Sequence, residues 1–142
     1  MNRFKILKEI CEEHGVSLVY LFGSQAEAGL RLLQGEGLPS AEPMTDMDVG
    51  LVFAAGLPEP PHRYRLYAAL YNSLEDLFRP YPLDLVFLQE NHAVFQAEAL
   101  TGKCIYAVSE TFREEYELRI LARAADFRPV LERFLAERLE EV

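Results

Sequence analysis

Apolar positions along the chain follow two rhythms. Phe4, Leu7, Ile10 and Cys11 recur at helical spacing and predict an amphipathic helix over residues 3–14. Leu18-Val19-Tyr20-Leu21-Phe22 is instead a continuous apolar run, the mark of a buried strand. Gly23-Ser24 ends it, and Gln25 to Leu33 returns to the helical rhythm. Val49-Gly50-Leu51-Val52-Phe53 is a second strand, opened by Asp46-Met47-Asp48. Gly56-Leu57-Pro58-Glu59-Pro60-Pro61 breaks the chain. His62 to Phe78 reads as a helix with Leu66, Ala69, Leu70, Leu74 and Leu77 on one face, ended by Arg79-Pro80-Tyr81-Pro82. Leu83 to Leu88 is a third strand carrying Asp84. A helix from Asn91 to Leu100, closed by Gly102, leads into a short strand over Lys103 to Val108 that extends the sheet. Thr111 with Glu114 reads as a capping box for a last helix, which runs to the C-terminus with a bend at Pro129. Phe112, Tyr116, Ile120, Phe127, Leu131 and Phe134 recur along it and should mostly pack on the body.

The polar residues that interrupt this pattern carry the chemistry. A strand, a tight Gly23-Ser24 turn and a helix start present backbone N–H groups and the positive end of a helix dipole, which suits a phosphate. Residues two apart on a strand point the same way, so Asp46 and Asp48 project from one face. Two like charges so placed repel and raise each other's pKa unless a cation sits between them. Asp84 is a third carboxylate in an otherwise apolar strand, and a charge there is costly without a partner. With neighbouring strands about 4.8 Å apart, it can reach the same ions. Magnesium takes oxygen ligands from one or two carboxylates plus substrate phosphates. Three carboxylates and a phosphate turn together make a two-metal nucleotidyl-transfer site. The plainer alternatives are that Asp46 caps a turn after Pro43 and that Asp84 pairs with an arginine.

Composition narrows the substrates. The 142 residues have the length of one domain and carry a net charge of −9. No basic footprint stands out, which argues against a nucleic-acid substrate. An acidic body suits a basic protein partner, though solubility explains it equally. No apolar run approaches membrane-spanning length, and Met1 to Glu9 reads as helix and not as a signal peptide, so a cytoplasmic location is expected. Cys11 and Cys104 stand far apart outside any CxxC pattern and read as buried free thiols, with no zinc indicated. His14, His62 and His92 lie near helix ends and carry no catalytic signal.

Gly23-Ser24, Asp46-Met47-Asp48 and Leu83-Asp84-Leu85-Val86 together resemble a minimal nucleotidyltransferase of the polymerase-β superfamily. Glu98 to Tyr106 is similar to the helix-turn-strand that follows the third aspartate in MntA-type antitoxins. Glu115 to Leu121 and Asp126 to Arg133 resemble their C-terminal helix. The resemblance implies an α/β nucleotidyltransferase fold, a small mixed sheet flanked by helices with a long C-terminal helix, as a single domain over residues 1–142. It implies a HEPN-domain toxin as partner in a hetero-oligomer, and transfer of AMP from ATP to a tyrosine near the toxin's active site. By position, Gly23 and Ser24 would hold the triphosphate. Asp46 and Asp48 would bind two Mg²⁺ ions, and Asp84 would complete the metal site and help deprotonate the tyrosine.

The chain departs from this family's pattern in two places. The family often carries an arginine just after Gly-Ser, where Gln25-Ala26-Glu27 stands here; Arg31, one helical turn on, is the candidate substitute. The stretch Gly35 to Pro43 lengthens the gap before Asp46 and is either a flap over the nucleotide or an insertion without a role. Two other functions remain open: a weak or inactive module that silences a toxin by binding alone, and transfer to a small molecule. An apolar strip left exposed on the last helix would be a docking surface for a toxin helix. Arg119, Arg123, Arg128 and Arg133 accompany that strip and read first as a solvated face.

Overall fold

The computed structural model describes residues 2–36 and 45–140. Most of the expected flap at Gly35 to Pro43 therefore lies outside the described residues. The first helix, α1 (Arg3–His14), is capped by the Asn2 side chain, which accepts from the Lys5 N–H. It ends at Gly15, where the His14 ring lies 2.9 Å from the Ile10 carbonyl. The chain continues as β1 (Leu18–Phe22), α2 (Ala26–Leu33), β2 (Met47–Val52) and α3 (Pro60–Glu75). After a 3-10 turn at Asp76–Phe78 come β3 (Leu83–Phe87), a second such turn at Leu88–Glu90, α4 (Ala93–Leu100), β4 (Lys103–Ala107) and α5 (Glu110–Glu140).

The strands form one mixed sheet in the order β3-β2-β1-β4. β1 is antiparallel to both β2 and β4, while β2 and β3 are parallel. A parallel pair needs a crossover, and α3 supplies it. Alternation then sorts the side chains. Val19, Leu21, Met47, Val49, Leu51, Leu83, Leu85 and Phe87 face one core with Leu7, Ile10, Leu32, Leu33, Leu70 and Leu74 of α1–α3. Leu18, Tyr20 and Val52 face the other, with Leu88 and with Ala99, Tyr116 and Ile120 of α4 and α5. Two polar bonds tie this second layer down: Tyr116 donates to Gln96 Oε1 at 2.6 Å, and Tyr20 donates to Glu117 Oε1 at 2.8 Å.

Several local expectations are corrected. The cap of α5 is Ser109, whose Oγ accepts from the Phe112 N–H, and not Thr111 with Glu114. The reason lies in the sheet: the Val108 N–H still bonds the Ser17 carbonyl, so Ser109 is the first residue free to cap. On α3, Leu70 and Leu74 are buried while Ala69 is exposed, because the helix meets the body along a narrower stripe. Cys11 is buried, and burial pushes its thiol up to about 12; Cys104 is only half-buried. On α5, Tyr116 and Ile120 are buried and Phe127 packs on the His92 ring, whereas Leu131 and Phe134 stay exposed. The helix continues through Pro129.

Candidate active site

The site assembles where β1 ends and β2 and β3 begin. Gly23 turns the chain out of β1 with φ +73°, a left-handed conformation open to glycine at little cost. Phe22 pairs with Asp48 across β1 and β2, which brings the Asp48 carboxylate over the turn. A Cβ built on Gly23 would collide with Asp48 Oδ2, so only a bare backbone fits beside that carboxylate. Ser24 follows, exposed, and α2 begins two residues later. Gln25 occupies the N-cap position without a side-chain cap bond, so it leaves that helix end open to a ligand.

Asp48 stands opposite Asp84 in the parallel register of β2 and β3. Register partners in a sheet share a face, so both carboxylates project on the α4–α5 side, away from the α1–α3 core. Asp46, one residue before β2, is exposed, as is Asp84; Asp48 is half-buried. Burial pushes the Asp48 carboxyl up to about 6, helped by its hydrogen bond with Asp84 and by the charges of Asp84 and Asp46. Among the described residues, no three His, Cys, Asp or Glu side chains close into a ready metal cage. In a nucleotide site, substrate phosphates provide part of the ligand set. The concentrated, hard-oxygen charge around Asp48 fits a divalent cation.

Two nearby features were not read from the sequence. Lys103 pairs with Leu21, two residues before Gly23, and its Nζ lies 3.6 Å from Glu27 on the first turn of α2. The fold thus carries a cation to this end of the sheet. Arg31 does not take that place: it sits in the last turn of α2, 4.0 Å from both Glu27 and Glu36. Gly102 makes the approach of β4 possible, since a Cβ there would strike the Leu21 carbonyl. On the opposite side, Tyr67 of α3 donates to the Leu85 carbonyl at 2.8 Å, and burial and then the Asp84 charge push its hydroxyl pKa up.

The model of the "Polymerase beta, Nucleotidyltransferase" family matches residues 5–111, from α1 into the start of α5. The chain belongs to that family. Solved structures extend the likeness of this nucleotidyltransferase over its whole length. It covers 98% of itself and 99% of a chain in a MntA-HpeT toxin–antitoxin mutant, at TM-score 0.66 and 17% identity. The same shares hold for a toxin–antitoxin crystallised with AMP-PNP, at TM-score 0.67 and 15% identity. A complex of tri-AMPylated Shewanella oneidensis HEPN toxin with MNT antitoxin matches at TM-score 0.63 and 15% identity, covering 96% of each chain. At such identities the likeness is one of fold. A search of curated proteins by sequence finds no match. No helix among the described residues is long and apolar enough to cross a membrane.

Proposed function

We propose that this chain, acting as a single nucleotidyltransferase domain, is an antitoxin that transfers AMP from ATP to a tyrosine hydroxyl of a cognate HEPN toxin. One observation carries the reading: Asp48 lies between Gly23 and Asp84, joining a phosphate turn to a carboxylate pair. Family membership and the full-length likeness to toxin–antitoxin chains support it.

The reaction is a displacement at phosphorus. The tyrosine Oη attacks the α-phosphorus, the bond to the oxygen bridging the β-phosphate breaks, and pyrophosphate leaves. Gly23, Ser24 and the α2 N-terminus hold the triphosphate by backbone N–H groups. Asp46, Asp48 and Asp84 are the residues that would hold two Mg²⁺ ions, which when bound neutralise phosphate charge and acidify the attacking hydroxyl. Asp84, at the sheet edge, accepts the phenolic proton. The rest of the contribution is positioning. The far half of α5 leaves Val130, Phe134, Leu135 and Leu139 exposed and offers them to the toxin in a hetero-oligomer. With ATP as donor, the activity belongs in the cytoplasm.

A second reading, neutralisation by binding alone, is favoured by Gln25-Ala26-Glu27 after Ser24 and by the tethering of Arg31 to acidic neighbours. Mass spectrometry of the toxin after incubation with the chain, ATP and Mg²⁺ separates the two. Added AMP that vanishes with Asp46→Asn, Asp48→Asn or Asp84→Asn is the result expected. A toxin that is inhibited yet unmodified establishes the binder.

A further inference from the structure

β3 is an edge strand, and its outer side is unpaired in the sheet. Beside it lies a cavity of about 350 Å³ walled by Arg63, Tyr64 and Tyr67 of α3, by the strand itself at Leu85 to Phe87, and by Glu90 and Asn91. The proposed reaction leaves this cavity unused, and three relationships say what it could hold.

The first is order across the sheet. Gly23 lies at the end of β1, Asp48 on β2 and Asp84 on β3, so the phosphate turn is on one side of Asp48 and the cavity is beyond Asp84 on the other. In phosphoryl transfer the attacking and leaving oxygens stand roughly in line across the phosphorus. With the triphosphate tail at Gly23-Ser24, the attacking hydroxyl enters from the β3 side.

The second is how the cavity joins the site. Tyr67 binds the Leu85 carbonyl, one residue from Asp84, and its ring centroid lies 5.5 Å from that of Phe87. The cavity wall and the carboxylate that meets the acceptor are therefore parts of one strand.

The third is chemistry. Tyr64 is 73% exposed, a large ring left in water, with Arg63, Glu90 and Asn91 forming a polar rim. The Leu85 and Phe87 carbonyls already accept from Tyr67 and Asn91, so recognition there falls to side chains, and aromatic walls offer a face to a ring. A bare phosphate finds little there, since the walls are largely aromatic and aliphatic.

We propose that this cavity seats the acceptor-bearing segment of the partner protein, which packs a side chain against Tyr64 and Tyr67 and delivers its tyrosine hydroxyl to Asp84. The inference rests on the transfer reaction proposed above, so the experiment must tell the failure of one from the failure of the other. Tyr64→Ala and Glu90→Lys alter exposed side chains outside the metal and phosphate machinery. Steady-state transfer to a cognate HEPN toxin should show KM for the toxin raised about tenfold, with KM for ATP unchanged. An unchanged KM for the toxin in both variants overturns the proposal. So does a raised KM for ATP, which would make the cavity a site for the nucleobase. In parallel, a photo-crosslinking residue at position 64, in the full chain bound to the toxin, should capture a tyrosine-containing segment. If the unaltered chain transfers nothing, the transfer reading falls while this crosslink still decides the cavity: capture of that segment supports the seat, and its absence from an intact complex removes it.

Discussion

Asp48 and Asp84 stand directly opposite each other on parallel strands, on the sheet face turned away from the α1–α3 core, with Gly23 pressed against the first of them. The pair is electrostatically uncomfortable. Asp48 is partly desolvated and faces two other carboxylates, so its charged form is disfavoured in the free protein. A cation bound as in the proposed reaction would relieve this repulsion.

That discomfort sets an opposition between stability and activity. Asp48→Asn keeps the shape of the side chain and removes the repulsion. At neutral pH the nucleotide-free variant should melt higher than the parent chain in differential scanning fluorimetry, while transfer to the toxin falls by about a hundredfold or more. A lower melting temperature would show that the Asp48 charge is already well satisfied within the protein.

The same group predicts a pH dependence with a definite sign. The folded state holds the Asp48 proton up to about 6, against the ordinary value of 3.8. The added stability is complete below the ordinary value and is lost as pH rises through that window, because the folded chain then releases a proton it binds more tightly than the unfolded chain. A bound cation competes with this proton, so stabilisation by Mg²⁺ with ATP should grow between about pH 5 and about pH 7.5. Equal thermal shifts at both pH values would place the ligand away from Asp48.

Gly23→Ala should fail twice over. The left-handed backbone costs an ordinary residue about 1–2 kcal/mol, and the added methyl displaces the Asp48 carboxylate. Urea denaturation reads the first effect, and toxin modification by mass spectrometry reads the second. Retained transfer would show that Asp48 can work from a shifted position.

Lys103 and Arg31 offer a matched comparison. Lys103→Ala should raise KM for ATP by about threefold to tenfold, since a cation at this end of the sheet attracts the triphosphate. Arg31→Ala, at the far end of α2, should leave it unchanged. The reverse ranking would mean that α2 turns its last turn toward the nucleotide when ATP binds.

Much of the molecule was legible from local pattern. A five-residue apolar run became β1, the run interrupted by Asp84 became β3, and helical spacing became α1 and α3, because burial of one face dictates each rhythm. The cap of α5 was less legible: Ser109 and Thr111 are both able to cap, and the choice depended on how far β4 stays bonded to residue 17. The tip of α5 was legible as helix but not as an unburied one, since periodicity says which residues share a stripe and not whether anything lies beneath it.

The sequence by itself determined the order of elements and the turn at Gly23-Ser24, because these follow from dihedral preference and side-chain period within a few residues. Only the tertiary structure decided that Asp84 meets Asp48, that Lys103 comes to the Gly23 end of the sheet, and that the β3 edge opens into a cavity. Each of those depends on strand register or on the direction of a helix axis. These are set by how distant apolar faces pack together, and no local window of residues contains that information.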